Sequence, residues 1–235
     1  MTIRKVERVA SLVPVNNVVI TVSDKTGLDV LVPELIKANP RVHIYSTGGT
    51  YTKINEMLGE NAKHNVQEVS KYTGQPETEG GLVKTLHHKL FLGYLTEEFC
   101  PEHSNDLKRE NAKKIDMFVG NFYPFEKTIA REGVDIEDAR GNIDVGGPSA
   151  LRAAAKNWHR VAAVIDPADY ELIIKELQET HGFTTIETRF ELHKKVFRVL
   201  SNYDNAIANY LDGVSFEKAI EAYSFQTIVN RRLGE

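Results

Sequence analysis

The chain has 235 residues, 41% hydrophobic and 26% charged, an ordinary globular composition on a length ample to bury a core. Its 29 Lys and Arg against 33 Asp and Glu leave a net charge of −4 with no long run of one sign. That balance argues against nucleic acid or an acidic membrane as the main partner, since both demand a basic face. A single cysteine, Cys100, excludes an intrachain disulfide and suits a reducing compartment, the cytoplasm, and no apolar stretch approaches the ~18 residues of a membrane span.

Residues 1–16 are mildly basic without the apolar core of a secretory signal and read as an unstructured lead-in. Val18–Val22 reads as a buried strand, and Leu28, Leu31 and Leu35 then share one face of a helix that Pro33 should kink or disturb. Val42–Tyr45 is a second predicted strand and Tyr51–Leu58 a second helix. Tyr72–Gly81 (YTGQPETEGG) is turn-rich and should be a surface loop, leading through VKTLHHK into another helix. Asp116–Phe122 predicts a strand, with Pro124 opening a helix to Ala130. NIDVGGPS is a glycine-broken turn that puts Asp144 at a strand end, with Pro148 opening the helix ALRAAAKN. A strand over Arg160–Ile165 precedes a helix capped by Asp166 and carrying Ile173, Ile174 and Leu177. Thr184 with Glu187 three residues on has the form of a capping box for a long helix toward Tyr210, and Phe216–Glu235 reads as a weakly anchored helical tail. Alternation of this kind implies a mainly parallel sheet between helices, with a site beyond the carboxyl ends of its strands.

Polar turns follow the predicted strands: TVSDKTG, STGGT, NFYPF and NIDVGGPS. Neither the Rossmann fingerprint nor the Walker loop is present. STGGT still offers what a phosphate needs: glycines that let backbone N–H groups approach, threonine hydroxyls, and a helix start. A Gly-Gly turn after a strand is also a common tight connection. Lys25, Lys84 and Lys156 each lie within or beside such turns, where they could build a local positive site; each alone also reads as a solvated surface lysine. Asp144 is either a turn-former or a base facing the pocket. His87 and His88 lack the spacing of a zinc site, and Tyr123 and Phe125 are more often core than catalytic, although Tyr123 directly follows a strand and could aim inward.

Taken in order, TVSDKTGL, STGGT, TGQPETEGGLVKTLHHK, VGNFYPFEKT, NIDVGGPSALRAAAKN, DPADY and YDNAIANYL resemble IMP cyclohydrolase, the amino-terminal domain of a bifunctional purine-biosynthesis protein that also carries a formyltransferase. The resemblance spans roughly Asn17 to Leu211. It implies an α/β fold of methylglyoxal-synthase-like, three-layer α/β/α type with C-terminal helices: a domain over 17–212 after the lead-in, and a tail over 213–235. It further implies dehydrative ring closure of formylated aminoimidazole carboxamide ribonucleotide to IMP, with no cofactor or metal. By position, Lys156 would donate and accept the proton with Asp144, and Lys84 and Tyr123 would stabilise the oxyanion. Ser23, Asp24, Lys25, Thr47, Gly48, Gly49, Thr50 and Thr85 would hold the nucleotide, and Asn121, Phe122, Val145 and Gly146 would line the base end. The implied partners are a small nucleotide substrate and a separate formyltransferase supplying it, with no nucleic acid or membrane; a homodimer is left open.

The chain departs from the family pattern in one loop, with Leu82 for an arginine, His88 for a proline and Phe91 for a histidine. The expectation is weaker substrate binding by about 1.5–3 kcal/mol if a guanidinium hydrogen bond is lost. A nucleotide-binding regulatory module that has lost catalysis is the competing reading. A methylglyoxal synthase is a third, set against by Leu82 where that family has an aspartate after its Gly-Gly pair.

Overall fold

The computed structural model describes residues 5–76, 78 and 83–226. The chain divides into two compact units, Met1–Tyr123 with Asp144–Ser201, and Pro124–Ile143 with Asn202–Glu235.

The larger unit is built on a five-stranded sheet of β2 (Asn17–Thr21), β3 (His43–Ser46), β4 (Val66–Glu68), β5 (Met117–Gly120) and β6 (Ala162–Val164), in the order β4-β3-β2-β5-β6. Every pairing in it is parallel. The strands are apolar on both faces because both faces are covered. Val18, Ile20, Ile44, Met117 and Val119 point to one side. There they meet Leu28, Leu31, Val32 and Leu35 of α1 (Leu28–Ala38) and Ile173 and Leu177 of α10 (Tyr170–Glu179). Val19, Tyr45, Phe118 and Ala163 point to the other side. Their partners are α5 (His88–Leu95), the alanine-rich α9 (Gly146–Lys156) and Val196 and Leu200 of α11 (Ile186–Asp212). The result is the expected three-layer α/β/α arrangement. The unit also holds α2 (Gly48–Leu58), α3 (Ala62–Asn65), α4 (Val69–Thr73) and α6 (Pro101–Arg109). No helix among the described residues is long and apolar enough to cross a membrane.

Several local expectations change. The lead-in is not unstructured: β1 (Leu12–Pro14) pairs antiparallel with β7 (Phe183–Thr185). The fully buried Arg189 ties this pair down, donating to Ala10 O at 2.7 Å and Trp158 O at 3.2 Å. The cap of α11 is Thr185, whose Oγ1 accepts from Thr188 N at 3.2 Å, so Thr184 is displaced by one residue. Pro33 sits on the outer face of α1 without ending it. Asp144 lies in irregular backbone and not at a strand end, and α9 begins at Gly146, ahead of Pro148.

The amino edge of the sheet is fastened by a buried ion pair. Asp116, just before β5, accepts from Asn16 N (3.0 Å), Asn17 N (2.9 Å) and Arg160 Nη1 (3.2 Å). Arg160 also donates to Thr96 O at 2.8 Å and to Gly93 O. Burial pushes the Asp116 carboxyl up and the Arg160 guanidinium down, each opposed by the other's charge. Gly93 has no alternative here, since a methyl group on it would lie 2.5 Å from Lys113 O.

The smaller unit contains α7 (Phe125–Ile129), α8 (Ile136–Gly141) and α12 (Phe216–Ile220). Phe125 packs edge-on against Tyr203 and Tyr210, and Asp135 and Asp138 form a capping box on α8. Of the tail expected over 213–235, residues 227–235 lie outside the described residues.

Candidate active site

The sheet reverses its direction of growth at β2, which has β3 on one side and β5 on the other. In open α/β sheets the crevice beyond the strand ends at such a point is where ligands bind. Here Asn121, just after β5, reaches across to the turn after β2. Its Oδ1 accepts from Ser23 N at 2.8 Å and Asp24 N at 2.9 Å, and its Nδ2 donates to Asp24 O at 3.0 Å. Asp24 Oδ1 accepts from Thr26 N at 2.9 Å. Asn121 is therefore a brace between two strand ends, and the two amide N–H groups are engaged by it.

The STGGT turn follows β3. Thr50 is latched in both directions to Val22, accepting from its N–H at 3.1 Å and donating to its carbonyl at 2.9 Å. Thr47 is buried, with its Oγ1 3.0 Å from Thr21 Oγ1. These hydroxyls fasten the start of α2 to the end of β2. Thr47 takes the N-cap position of α2 without a side-chain cap bond. The opening amides of a helix have no intrahelical partner, so they and the helix dipole make a seat for an anion.

Two lysines gather over that seat. A methyl group on Gly48 would lie 3.4 Å from Lys84 Nζ, and one on Gly49 4.0 Å from Lys25 Nζ. Gly48 has φ +45°, the left-handed region that favours glycine. Lys25 Nζ also donates to Ser23 O at 3.4 Å. Next to Lys84, the buried Thr85 places its Oγ1 3.0 Å from where a Gly146 side chain would start. Asp144 Oδ1 accepts from Gly147 N at 2.9 Å, so the carboxylate is fixed across the first turn of α9. Glycines at 48, 49 and 146 thus leave room for two ammonium groups, a hydroxyl and a carboxylate around two helix starts.

Other expected site residues are placed differently. Phe122 packs partly buried against the core beneath α9, Val145 is 61% exposed, and Tyr123 is exposed two residues beyond Asn121. Lys156 is not brought to the cluster. It is the exposed last residue of α9, about 15 Å along the axis from Gly146 at 1.5 Å per residue. Its neighbour Asn157 donates to Tyr94 O and Thr96 O, and Thr96 O also receives Arg160, the partner of Asp116 at the amino edge of β5. A helix packed antiparallel to its strands carries its two ends to opposite edges of the sheet. Thr21, the first residue of TVSDKTG and the last of β2, joins the cluster through Thr47 without having been singled out as a site residue.

The altered loop is accommodated locally. His88 is the first residue of α5, the position where a proline is well tolerated, and its Nε2 lies 3.6 Å from Glu110 Oε2. Phe91 packs edge-on against Tyr94. Leu82 lies outside the described residues.

These features define an α/β domain with an anion seat at the carboxyl edge of a parallel sheet. The chain belongs to the family described as MGS-like domain, whose model matches residues 27–149, more than half of its length. Residues 154–235 match the model of the AICARFT/IMPCHase bienzyme. Similar curated proteins are the bifunctional purine biosynthesis protein PurH of Chlorobium phaeobacteroides (42% identical, 86% of this chain and 38% of that protein) and of Listeria monocytogenes (43%, 88% and 39%). The chain thus spans about two fifths of the length of these relatives. The crystal structure of ForH is similar with a TM-score of 0.71 and 29% identity, over 84% of this chain and 97% of that one. These matches do not favour the reading as a module without catalysis.

Proposed function

We propose that the chain is an IMP cyclohydrolase, closing the purine six-membered ring of the formylated aminoimidazole carboxamide ribonucleotide to give IMP and water. The observation that carries this reading is the meeting of Lys25, Lys84, Thr85 and Asp144 around glycines 48, 49 and 146. The relatives' printed role in purine biosynthesis supports it. The substrate phosphate would sit on the opening amides of α2 with Lys25 beside it.

The carboxamide nitrogen must then attack the formyl carbon of the same molecule, so holding the reactive conformer supplies much of the rate. Asp144 would take the proton from that nitrogen. Lys84, with Tyr123, would steady the oxyanion on the former formyl oxygen. That oxygen takes one proton from the Lys84 ammonium and a second that the formamide nitrogen gives up as the ring double bond forms, and leaves as water, while the proton held by Asp144 restores the lysine. The only product besides the ring is one water, so the balance needs no redox partner or group carrier. Lys156 would act on none of the reacting atoms, a departure from the role implied by the family resemblance. The formylated substrate would come from a cytoplasmic formyltransferase.

Purified chain mixed with the formylated ribonucleotide is expected to produce IMP well above the rate in buffer, without added metal. No acceleration over buffer would reject the assignment.

A further inference from the structure

A second cluster of reactive side chains lies in the turn between α5 and α6, away from the nucleotide seat. Ligand atoms of Glu97, Cys100 and His103 all lie within 4.8 Å of one another. Three chemically different donors converge: a carboxylate, a thiol only 1% exposed, and an imidazole. The thiol is already hydrogen-bonded to an anion, with Cys100 Sγ 3.1 Å from Glu102 Oε2, and His103 Nδ1 accepts from Glu97 N at 3.2 Å. The positions 97, 100 and 103 repeat at three-residue intervals. The turn and the first turn of α6 therefore carry all three donors to one side.

We propose that Glu97, Cys100 and His103 bind a zinc ion that clamps this turn. Sulfur, nitrogen and oxygen donors together suit a borderline-soft cation, and three protein ligands with a water complete a tetrahedron. Bond lengths of about 2.0–2.3 Å require donors about 3.3–3.6 Å apart, so the cluster closes by no more than about 1.5 Å as the ion enters. The thiol proton now directed at Glu102 is released to solvent as the sulfur–metal bond forms, and Glu97 N–H exchanges its bond to the imidazole for water. The start of α6 favours the negative charge of a bound thiolate. The turn borders Thr96, whose carbonyl receives Asn157 and Arg160 at the amino edge of the sheet. The clamp therefore acts on stability at the edge opposite the proposed active site.

The test uses chelator-treated full chain titrated with Co2+ as the spectroscopic probe and then with Zn2+. One equivalent of Co2+ with a thiolate-to-metal charge-transfer band, displaced by Zn2+, is expected. Cys100→Ser should remove the band, His103→Ala should weaken binding by more than about tenfold, and His88→Ala should leave it unchanged. Zn2+ should raise the melting temperature of wild type but not of His103→Ala. Because Cys100 is buried and its variant could misfold, His103→Ala, at a partly exposed position, decides alone if needed. Absence of the band in wild type, or His103→Ala binding with wild-type affinity, overturns the proposal.

Discussion

Replacing Lys84 with alanine is expected to lower kcat/KM for ring closure by about a hundred- to a thousandfold, a loss of about 2.7–4 kcal/mol typical of removing one oxyanion donor. The reason is positional. Lys84 stands over Gly48 at the start of α2, in sequence contact with Thr85, which reaches the start of α9. It therefore stands over the seat proposed for the phosphate, one residue from the Thr85 hydroxyl that meets the start of α9. If its ammonium serves the reacting oxygen, kcat falls while KM changes little; if it serves the phosphate alone, KM rises at constant kcat. Steady-state kinetics with the formylated ribonucleotide separate the two. A kcat/KM within about threefold of wild type would remove Lys84 from the chemistry.

Arg160→Ala is expected to destabilise the fold by about 3–5 kcal/mol, because it strands the carboxylate of Asp116 in the interior without its counter-charge. Arg160 is completely buried and joins the end of α5, at Gly93 and Thr96, to the entry of β5. A typical domain has only about 5–15 kcal/mol of stability to lose. Urea unfolding measures the effect directly. Adding Asp116→Asn should recover part of the loss, since the stranded charge goes while the bonds from Asn16 and Asn17 retain an acceptor. A change below about 1 kcal/mol in the single variant would show that the pair is not the clamp described.

Most of the sheet was legible because its strands are short apolar runs ending in polar turns, and periodicity reports such runs well. β4 (VQE) escaped because three residues at a sheet edge show neither alternation nor a β-branched run. β1 escaped because its partner, β7, lies 171 residues on in the register pair Val13 and Thr184, and only pairing makes LVP a strand. The site was legible as a set of turns, whereas the use of each group was not. Thr50, Asn121 and the amides of Ser23 and Asp24 carry the right chemistry for a nucleotide, yet hydrogen bonds between loops engage them. Such bonds link residues up to 98 apart in sequence, beyond the reach of any local pattern. Lys156 shows the same limit in reverse. Its motif is continuous with Asp144, but the helix between them carries it to the other edge of the sheet.

The turns after β2 and β3, with Lys84 and the start of α9, would together hold one nucleotide by its phosphate. Calorimetric titration of the full chain with IMP and, separately, with inosine tests this most directly. One IMP per chain, binding at least about tenfold more tightly than inosine and weakened in Lys25→Ala, is the predicted result. Equal affinity for IMP and inosine, or IMP affinity untouched by Lys25→Ala, would contradict it.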